Sequence, residues 1–174
     1  MSSVLSRQNI PLSDNPACFA GPQSPAWRAG DAVSTILIVD DSPTDTYVAT
    51  KCAEQLFETV LTTHDANGMF KLLREHSPDI VTMDVNLFDW MNGISLIAEI
   101  RASEDAIKDI PIVVISSRST PADKLIALDA GASGYIVKPV TLEALSQSSN
   151  QLVPGICARI VVDELHVRMP AAGV

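Results

Sequence analysis

The chain has few cysteines and no long apolar run. These two features argue against a disulfide-rich, zinc-binding or membrane-spanning protein. Its cysteines (Cys18, Cys52 and Cys157) are odd in number, far apart and without a histidine at metal-ligand spacing. This argues against a disulfide framework or a zinc site. No apolar run approaches the roughly 18 residues that span a bilayer, and no basic region precedes an apolar segment at the amino terminus. We therefore expect a soluble, cytoplasmic protein without membrane insertion.

Basic residues are also scarce. The 174 residues include 12 Lys and Arg against 21 Asp and Glu, which gives a formal net charge of -9. Because phosphate contacts need a basic surface, this excess of acid argues against direct nucleic-acid binding. It suits a protein that binds cations or a basic partner. With 47% hydrophobic residues, the chain has room for one core of normal size and an appendage.

The composition changes near residue 35. Residues 1–34 contain four of the eleven prolines and no sustained periodicity, so we expect a disordered or loosely packed extension. A docking peptide that uses Phe19 or Trp27 is the alternative for this segment. Residues 35–152 are predicted to form one domain. Residues 153–174 are predicted to be a C-terminal extension of unknown role, with 156–167 apolar enough to pack on a surface.

Five short apolar segments have the composition of buried strands. They cover residues 36–39, 59–63, 80–84, 112–115 and 135–137, and a helical pattern follows each of them. Strands this apolar suit a parallel sheet that is covered on both faces. Five βα units in succession imply helices on both faces and right-handed crossovers. The predicted fold class is therefore α/β with a five-stranded parallel sheet.

Helical spacing predicts which residues face the sheet. The predicted inner residues are, in chain order, Val48, Cys52 and Leu56; Met69, Leu72 and Leu73; Ile94, Ile97 and Ile100 or Arg101; and Leu125, Ile126 and Leu128. Pro43 suits a first turn, so the first helix should run from there to about Phe57. A turn at 66–68 should lead into the second helix. Thr141 should cap a fifth helix over about 142–152.

Polar side chains end four of the five predicted strands. Asp40 and Asp41 follow the first strand, and Asp84 ends the third. Ser116 follows the fourth strand, and Lys138 follows the fifth. Because the carboxyl ends of parallel strands share one edge, where open α/β sheets place their ligands, these five side chains can converge.

Such a set of side chains suits phosphoryl chemistry. Three carboxylates a few ångströms apart repel by up to roughly 4 kcal/mol per pair, and a divalent cation such as Mg²⁺ or Mn²⁺ makes the cluster sustainable. The metal and the Lys138 ammonium together would attract a dianionic phosphoryl group. One carboxylate can act as the nucleophile and form an acyl phosphate, and the Ser116 hydroxyl can hydrogen-bond the phosphoryl group.

At these residues the chain resembles the receiver domain of bacterial two-component response regulators. The resemblance rests on ILIVDDSP at 36–43, PDIVTMD at 78–84, PIVVIS at 111–116 and GASGYIVKP at 131–139. It implies a flavodoxin-like fold with strand order 2-1-3-4-5. It also implies a phosphoprotein of a two-component phosphorelay.

The resemblance further implies which residues hold the metal and the phosphoryl group. Asp84 would accept phosphate from a phosphohistidine on a sensor histidine kinase or a phosphotransfer protein. Mg²⁺ or Mn²⁺ would be held by Asp40, Asp41, Asp84 and the backbone carbonyl of Asn86.

Three further roles follow from the same resemblance. Lys138 would pair with the phosphoryl group, and Lys138–Pro139 would be a cis peptide, as an X-Pro bond permits. Ser116 would be the switch hydroxyl. Tyr135 would be the aromatic residue that turns inward when Ser116 moves.

The loop after Asp84 departs from the family pattern. The family usually has a proline a few residues after the phosphoacceptor, where Phe88 and Asp89 stand here. It usually has a glycine eight residues after the phosphoacceptor, whereas Gly93 lies nine residues on. We expect the loop over 85–92 to be one residue longer and less rigid, which affects the dephosphorylation rate and the fit to partners.

The favoured function is a stand-alone response regulator in which phosphorylation of Asp84 switches partner binding through helix 4, strand 5 and helix 5. A phosphorylation-dependent homodimer is compatible with this function. We do not expect an enzyme, apart from slow autodephosphorylation. One alternative is a receiver-like interaction module that works without phosphorylation. Another is a Mg²⁺-dependent phosphohydrolase, against which Asn86 stands where that class usually carries a second aspartate. The chain could also be a fragment of a longer regulator.

Overall fold

Five parallel strands form the main sheet in the described part of the chain. The structure, a computed structural model, describes residues 34–87 and 91–156. The strands are Thr35–Val39 (β1), Thr59–Thr63 (β2), Ile80–Asp84 (β3), Ile112–Ser116 (β4) and Gly134–Val137 (β5). Their order across the sheet is β2-β1-β3-β4-β5. The predicted α/β class and the predicted strand order are both confirmed. Residues 1–33 and 157–174, with most of the two predicted extensions, lie outside the described residues.

In the described residues, four α-helices connect these strands and a fifth follows β5. They are Pro43–Ala53 (α1), Ala66–His76 (α2), Gly93–Ala102 (α3), Pro121–Asp129 (α4) and Leu142–Leu152 (α5). A short 3-10 turn at Ala106–Asp109 follows α3. Each α-helix begins after a side-chain cap, supplied by Ser42, Asp65, Asn92, Thr120 and Thr141. Each cap satisfies a backbone N–H that the helix leaves free, and the predicted Thr141 cap is confirmed.

The sheet is covered on both faces because alternate strand residues point to opposite sides. One layer of the core contains Leu37, Val81, Met83 and Val114 with Met69, Leu73, Ile97, Ile100 and Ala127. The other layer contains Ile36, Ile38, Ile80, Val113 and Ile115 with Ala49, Ala53 and Leu145. Helices α2, α3 and α4 therefore pack on one face, and α1 and α5 pack on the other.

The predicted inner face of α1 is partly wrong. Val48 is exposed, whereas Ala49 and Ala53 are buried, and Cys52 packs against the core as predicted. One residue turns a helix by about 100°, so the inner face includes Ala49 and excludes Val48. The helix also ends at Ala53 rather than near Phe57. Leu56 is buried as predicted, but from the turn that follows the helix.

The predicted inner face of α4 is also wrong. Leu125 and Ile126 are 58% and 55% exposed, and the small residue Ala127 is the buried one. Periodicity identifies an apolar face, but it does not tell whether another part of the chain covers that face.

The predictions for α2 and α3 are closer to the structure. Met69 and Leu73 are buried, and so are Ile97 and Ile100. Residues 66–68, which were predicted as a turn, form the first turn of α2.

The segment after Asp84 contains a hairpin where the sequence predicted a loop. Asn86–Leu87 pairs in antiparallel fashion with Met91–Asn92, and residues 88–90 lie outside the described part of the chain. The N–H of Gly93 donates to the carbonyl of Val85 at 2.9 Å. A Cβ atom on Gly93 would overlap the carbonyl oxygen of Asp84. The absence of a side chain therefore lets α3 begin directly against the end of β3.

The peptide bond between Lys138 and Pro139 is cis, as the resemblance predicted. Within residues 34–87 and 91–156, none of the helices has the length and apolar character needed to cross a bilayer.

Replacing Gly93 with alanine tests the close approach of α3 to β3. We expect Gly93→Ala to lower the free energy of unfolding by about 1–3 kcal/mol, because the new methyl group meets backbone that cannot move aside easily. Urea denaturation measures the change. Gly134→Ala is the matched control, since its added Cβ first meets the Ser148 hydroxyl oxygen at 3.1 Å, which can rotate away. Equal stability of the two variants would contradict the prediction.

Candidate functional site

Three side chains from different strands meet at the carboxyl edge of the sheet. The Lys138 ammonium, which follows β5, donates to Asp40 Oδ2 and to Asp84 Oδ2, both at 3.0 Å. Neighbouring strands are roughly 4.8 Å apart, and β4 separates β5 from β3. The long lysine side chain therefore bridges the distance to the two carboxylates. The predicted convergence of these three residues is present in the structure.

The carboxylates of Asp40, Asp41 and Asp84 form a compact cluster. Each offers one oxygen, and these oxygens lie within 4.8 Å of one another. Asp40 and Asp84 are buried, and Asp41 is half-buried. Backbone N–H groups hold two of the carboxylates: that of Ser42 donates to Asp40 Oδ1 at 2.8 Å and that of Asn86 donates to Asp84 Oδ1 at 3.2 Å. An all-oxygen set of this kind fits the preference of Mg²⁺.

Burial and charge act in opposite directions on the two key ionisable groups. Burial raises the pKa of Asp40, and the hydrogen bonds from Ser42 and Lys138 offset this rise only in part. Burial on its own would lower the pKa of Lys138, but hydrogen bonds to Asp45, Asp84 and Asp40 outweigh it and raise that pKa. The Lys138 ammonium is therefore charged at neutral pH.

Asp45 is a member of this cluster that the sequence analysis missed. Its Oδ2 lies 2.7 Å from Lys138 Nζ, which is the shortest of the three contacts of that ammonium. Asp45 lies in the first turn of α1, three residues after the Ser42 cap. Asp45 does not end a strand, so the pattern of polar strand ends does not include it. The signal that identifies it is an acidic residue in the first turn of the helix that leaves the same edge.

Ser116 and Tyr135 are linked through one backbone segment. Ser116 is fully buried at the end of β4, and its Oγ accepts a hydrogen bond from the N–H of Arg118 at 3.2 Å. The Tyr135 hydroxyl donates a hydrogen bond to the carbonyl of Arg118 at 2.9 Å. The two predicted switch residues therefore contact the backbone N–H and the carbonyl of the same residue. The metal-ligand role of the Asn86 carbonyl stays a prediction.

The fold and this edge are those of a receiver domain. A family model, the response regulator receiver domain, matches residues 36–150. The chain therefore belongs to the response regulator receiver family. This family places the chain among signalling regulators and not among enzymes.

Individual relatives agree with the family assignment. Protein PilH of Pseudomonas aeruginosa is 30% identical over 123 residues, which are 71% of this chain and 100% of PilH. The transcriptional regulatory protein KdpE of Mycobacterium tuberculosis is 32% identical over 111 residues, which are 64% of this chain and 47% of KdpE. The chain thus matches all of PilH but about half the length of KdpE.

A solved structure with the same fold contains a metal. It is the receiver domain of a sensor histidine kinase from Pseudomonas aeruginosa, with a magnesium ion coordinated in its active site cleft. It is 25% identical to this chain, has a TM-score of 0.61, and the match covers 70% of this chain and 98% of that one.

Removing the charge of Asp40 tests the electrostatic cost of the cluster. A carboxyl whose pKa is raised by folding costs stability once the pH exceeds that pKa, because the folded protein prefers the proton. We therefore expect Asp40→Asn to raise Tm by a few degrees at neutral pH in the presence of a chelator. Thermal unfolding measures this shift. Glu99→Gln removes one exposed negative charge from α3 as the control, and a Tm of Asp40→Asn at or below wild type would refute the prediction.

Proposed function

We propose that this chain is a response regulator whose Asp84 accepts a phosphoryl group from a phosphohistidine on a sensor kinase or phosphotransfer protein. The observation that carries the proposal is the position of the Lys138 ammonium, 3.0 Å from Asp84 Oδ2 and inside an acidic cluster. A carboxylate with a fixed cation beside it is suited to receive a dianionic phosphoryl group.

The proposed transfer conserves charge and electrons without any redox step. A carboxylate oxygen of Asp84 attacks phosphorus, and the P–N bond to the donor imidazole breaks. The electron pair of that bond stays with the imidazole nitrogen, which takes up a proton. Catalysis rests on positioning and on positive charge near the equatorial oxygens of the phosphoryl group. Lys138 supplies part of that charge.

A Mg²⁺ ion is the proposed source of the remaining positive charge. Asp40, Asp41 and Asp84 would hold it, because their oxygens already converge within 4.8 Å. The magnesium ion in the related kinase receiver domain supports this assignment.

The proposed switch uses the contacts around Arg118. When the Ser116 hydroxyl turns toward the phosphoryl group, its Oγ stops accepting from the Arg118 N–H, a bond of 3.2 Å. Arg118 then moves, and the hydrogen bond from Tyr135 to its carbonyl changes with it. Phosphorylation shifts this equilibrium by as much as it favours the new arrangement over the old one.

The proposed output surface is the exposed apolar part of α4, β5 and α5. Its residues are Leu125, Ile126, Val137 and Leu142, each between 37% and 58% exposed. Arg118 lies between β4 and α4, so a change at Arg118 acts directly on the helix that carries Leu125 and Ile126. Such a surface suits a downstream protein.

Labelling with a small phosphodonor tests the proposed function. We expect acetyl phosphate with Mg²⁺ to add one phosphoryl group to the wild-type chain and none to Asp84→Asn, because the amide is a poor nucleophile. Intact-protein mass spectrometry measures the product, and Glu99→Gln is the control that must label normally. An unmodified wild type, or equal labelling of Asp84→Asn, would disprove the proposal. Equal affinity of a partner for both forms would favour the phosphorylation-independent module.

A second prediction concerns the metal alone. We expect Mg²⁺ to stabilise the wild-type chain, by about 1.4 kcal/mol at ten times its dissociation constant, since it binds the folded cluster. Asp41→Asn should lose most of this gain, whereas Glu99→Gln should keep it. Thermal unfolding with and without Mg²⁺ measures the effect. A gain that is the same in Asp41→Asn would argue against the assigned ligands.

A further inference from the structure

Every hydrogen of the Lys138 ammonium has a carboxylate partner. Asp40 and Asp84 accept at 3.0 Å each, and Asp45 accepts at 2.7 Å. A lysine ammonium has three donors and no acceptor. A phosphoryl oxygen can therefore gain a hydrogen bond from Lys138 only if one of these carboxylates gives up its own.

The three carboxylates differ in how easily they can leave the lysine. The side chains of Asp40 and Asp84 are each 6% exposed, and each also accepts a backbone N–H bond. The side chain of Asp45 is 43% exposed. An exposed carboxylate that leaves the lysine is hydrated by solvent. A buried carboxylate that loses its partner has no such compensation. Asp45 is therefore the partner that Lys138 can exchange most easily.

We propose that Asp45 is a positioning residue that holds Lys138 while Asp84 is unphosphorylated and releases it to the incoming phosphoryl group. This inference rests on the proposed phosphorylation of Asp84. Asp45 competes with the phosphoryl group for the same ammonium, and its negative charge repels a dianionic donor at the mouth of the cleft. Asp45 thus slows phosphoryl loading.

A simpler role for Asp45 is to stabilise α1. An acidic residue in the first turn interacts favourably with the helix dipole, and this effect needs no contact with Lys138. A purely structural role would change Tm without changing the rate of phosphorylation. The two roles therefore make different predictions for the same variant.

The kinetic test uses the full chain with acetyl phosphate and Mg²⁺. In the reaction an Asp84 oxygen bonds to phosphorus, the bond from phosphorus to the acetyl oxygen breaks, and acetate leaves with that electron pair. We expect Asp45→Asn to be phosphorylated about two to five times faster than wild type, the range that corresponds to a partly exposed ion pair. Asp45→Glu keeps the negative charge and should be phosphorylated at the wild-type rate.

The matched control is Glu54→Gln. It removes one negative charge from the other end of α1, where Glu54 pairs with Lys51 at 2.7 Å. Glu54→Gln should keep the wild-type rate, which separates the contact with Lys138 from a general effect of net charge. A rate increase that is equal in Glu54→Gln and Asp45→Asn would overturn the proposal.

A second measurement reads the contact without metal or phosphodonor. Proton exchange between the Lys138 ammonium and water, followed by NMR in chelator, should be faster in Asp45→Asn than in wild type and in Glu54→Gln. Unchanged exchange together with a wild-type rate of phosphorylation would overturn the inference while the proposed function stands. A wild type that accepts no phosphoryl group would instead overturn the proposed function, and with it the role of Asp45 in transfer.

Discussion

The Lys138 ammonium stabilises a cleft in which several carboxylates meet at one edge of the sheet. Asp40, Asp45 and Asp84 accept its three hydrogen bonds, and Asp41 belongs to the same acidic cluster. One ammonium cannot neutralise four carboxylates, so the cleft keeps an excess of negative charge. This excess raises the affinity for a divalent cation, which is the basis of the proposed magnesium site. The proposed chemistry follows from this imbalance.

That charge cluster depends on the order of the strands. Because β1 and β3 are neighbours, Asp40 and Asp84 end side by side. Lys138 comes from the edge strand β5, two positions away from β3, so a long side chain is needed there. The apolar interior of the strands fixes these ends, since both faces of the sheet are packed. Rigid strands with charged ends suit a site that must hold its geometry before a ligand arrives.

In the proposed switch, phosphorylation of Asp84 changes the conformation of the surface through α4. The carbonyl of Arg118 accepts one hydrogen bond from Tyr135, and its N–H donates one to Ser116. Helix α4 begins three residues later at Pro121. This helix buries Ala127 and leaves Leu125 and Ile126 exposed. An apolar surface that is uncovered and next to the proposed switch is suited to report the state of Asp84 to a partner.

The sequence alone determined the strands, their parallel arrangement and four residues of the cleft (Asp40, Asp41, Asp84 and Lys138), because apolar runs and the residues that end them are local features. It also predicted Met69 and Leu73 in the core correctly. It could not determine how α1 and α4 are rotated, since that depends on which neighbours cover each face. It missed Asp45 for a related reason. Only the tertiary structure brings the first turn of α1 within reach of a lysine 93 positions away. A local sequence pattern does not show contacts between residues so far apart in the chain.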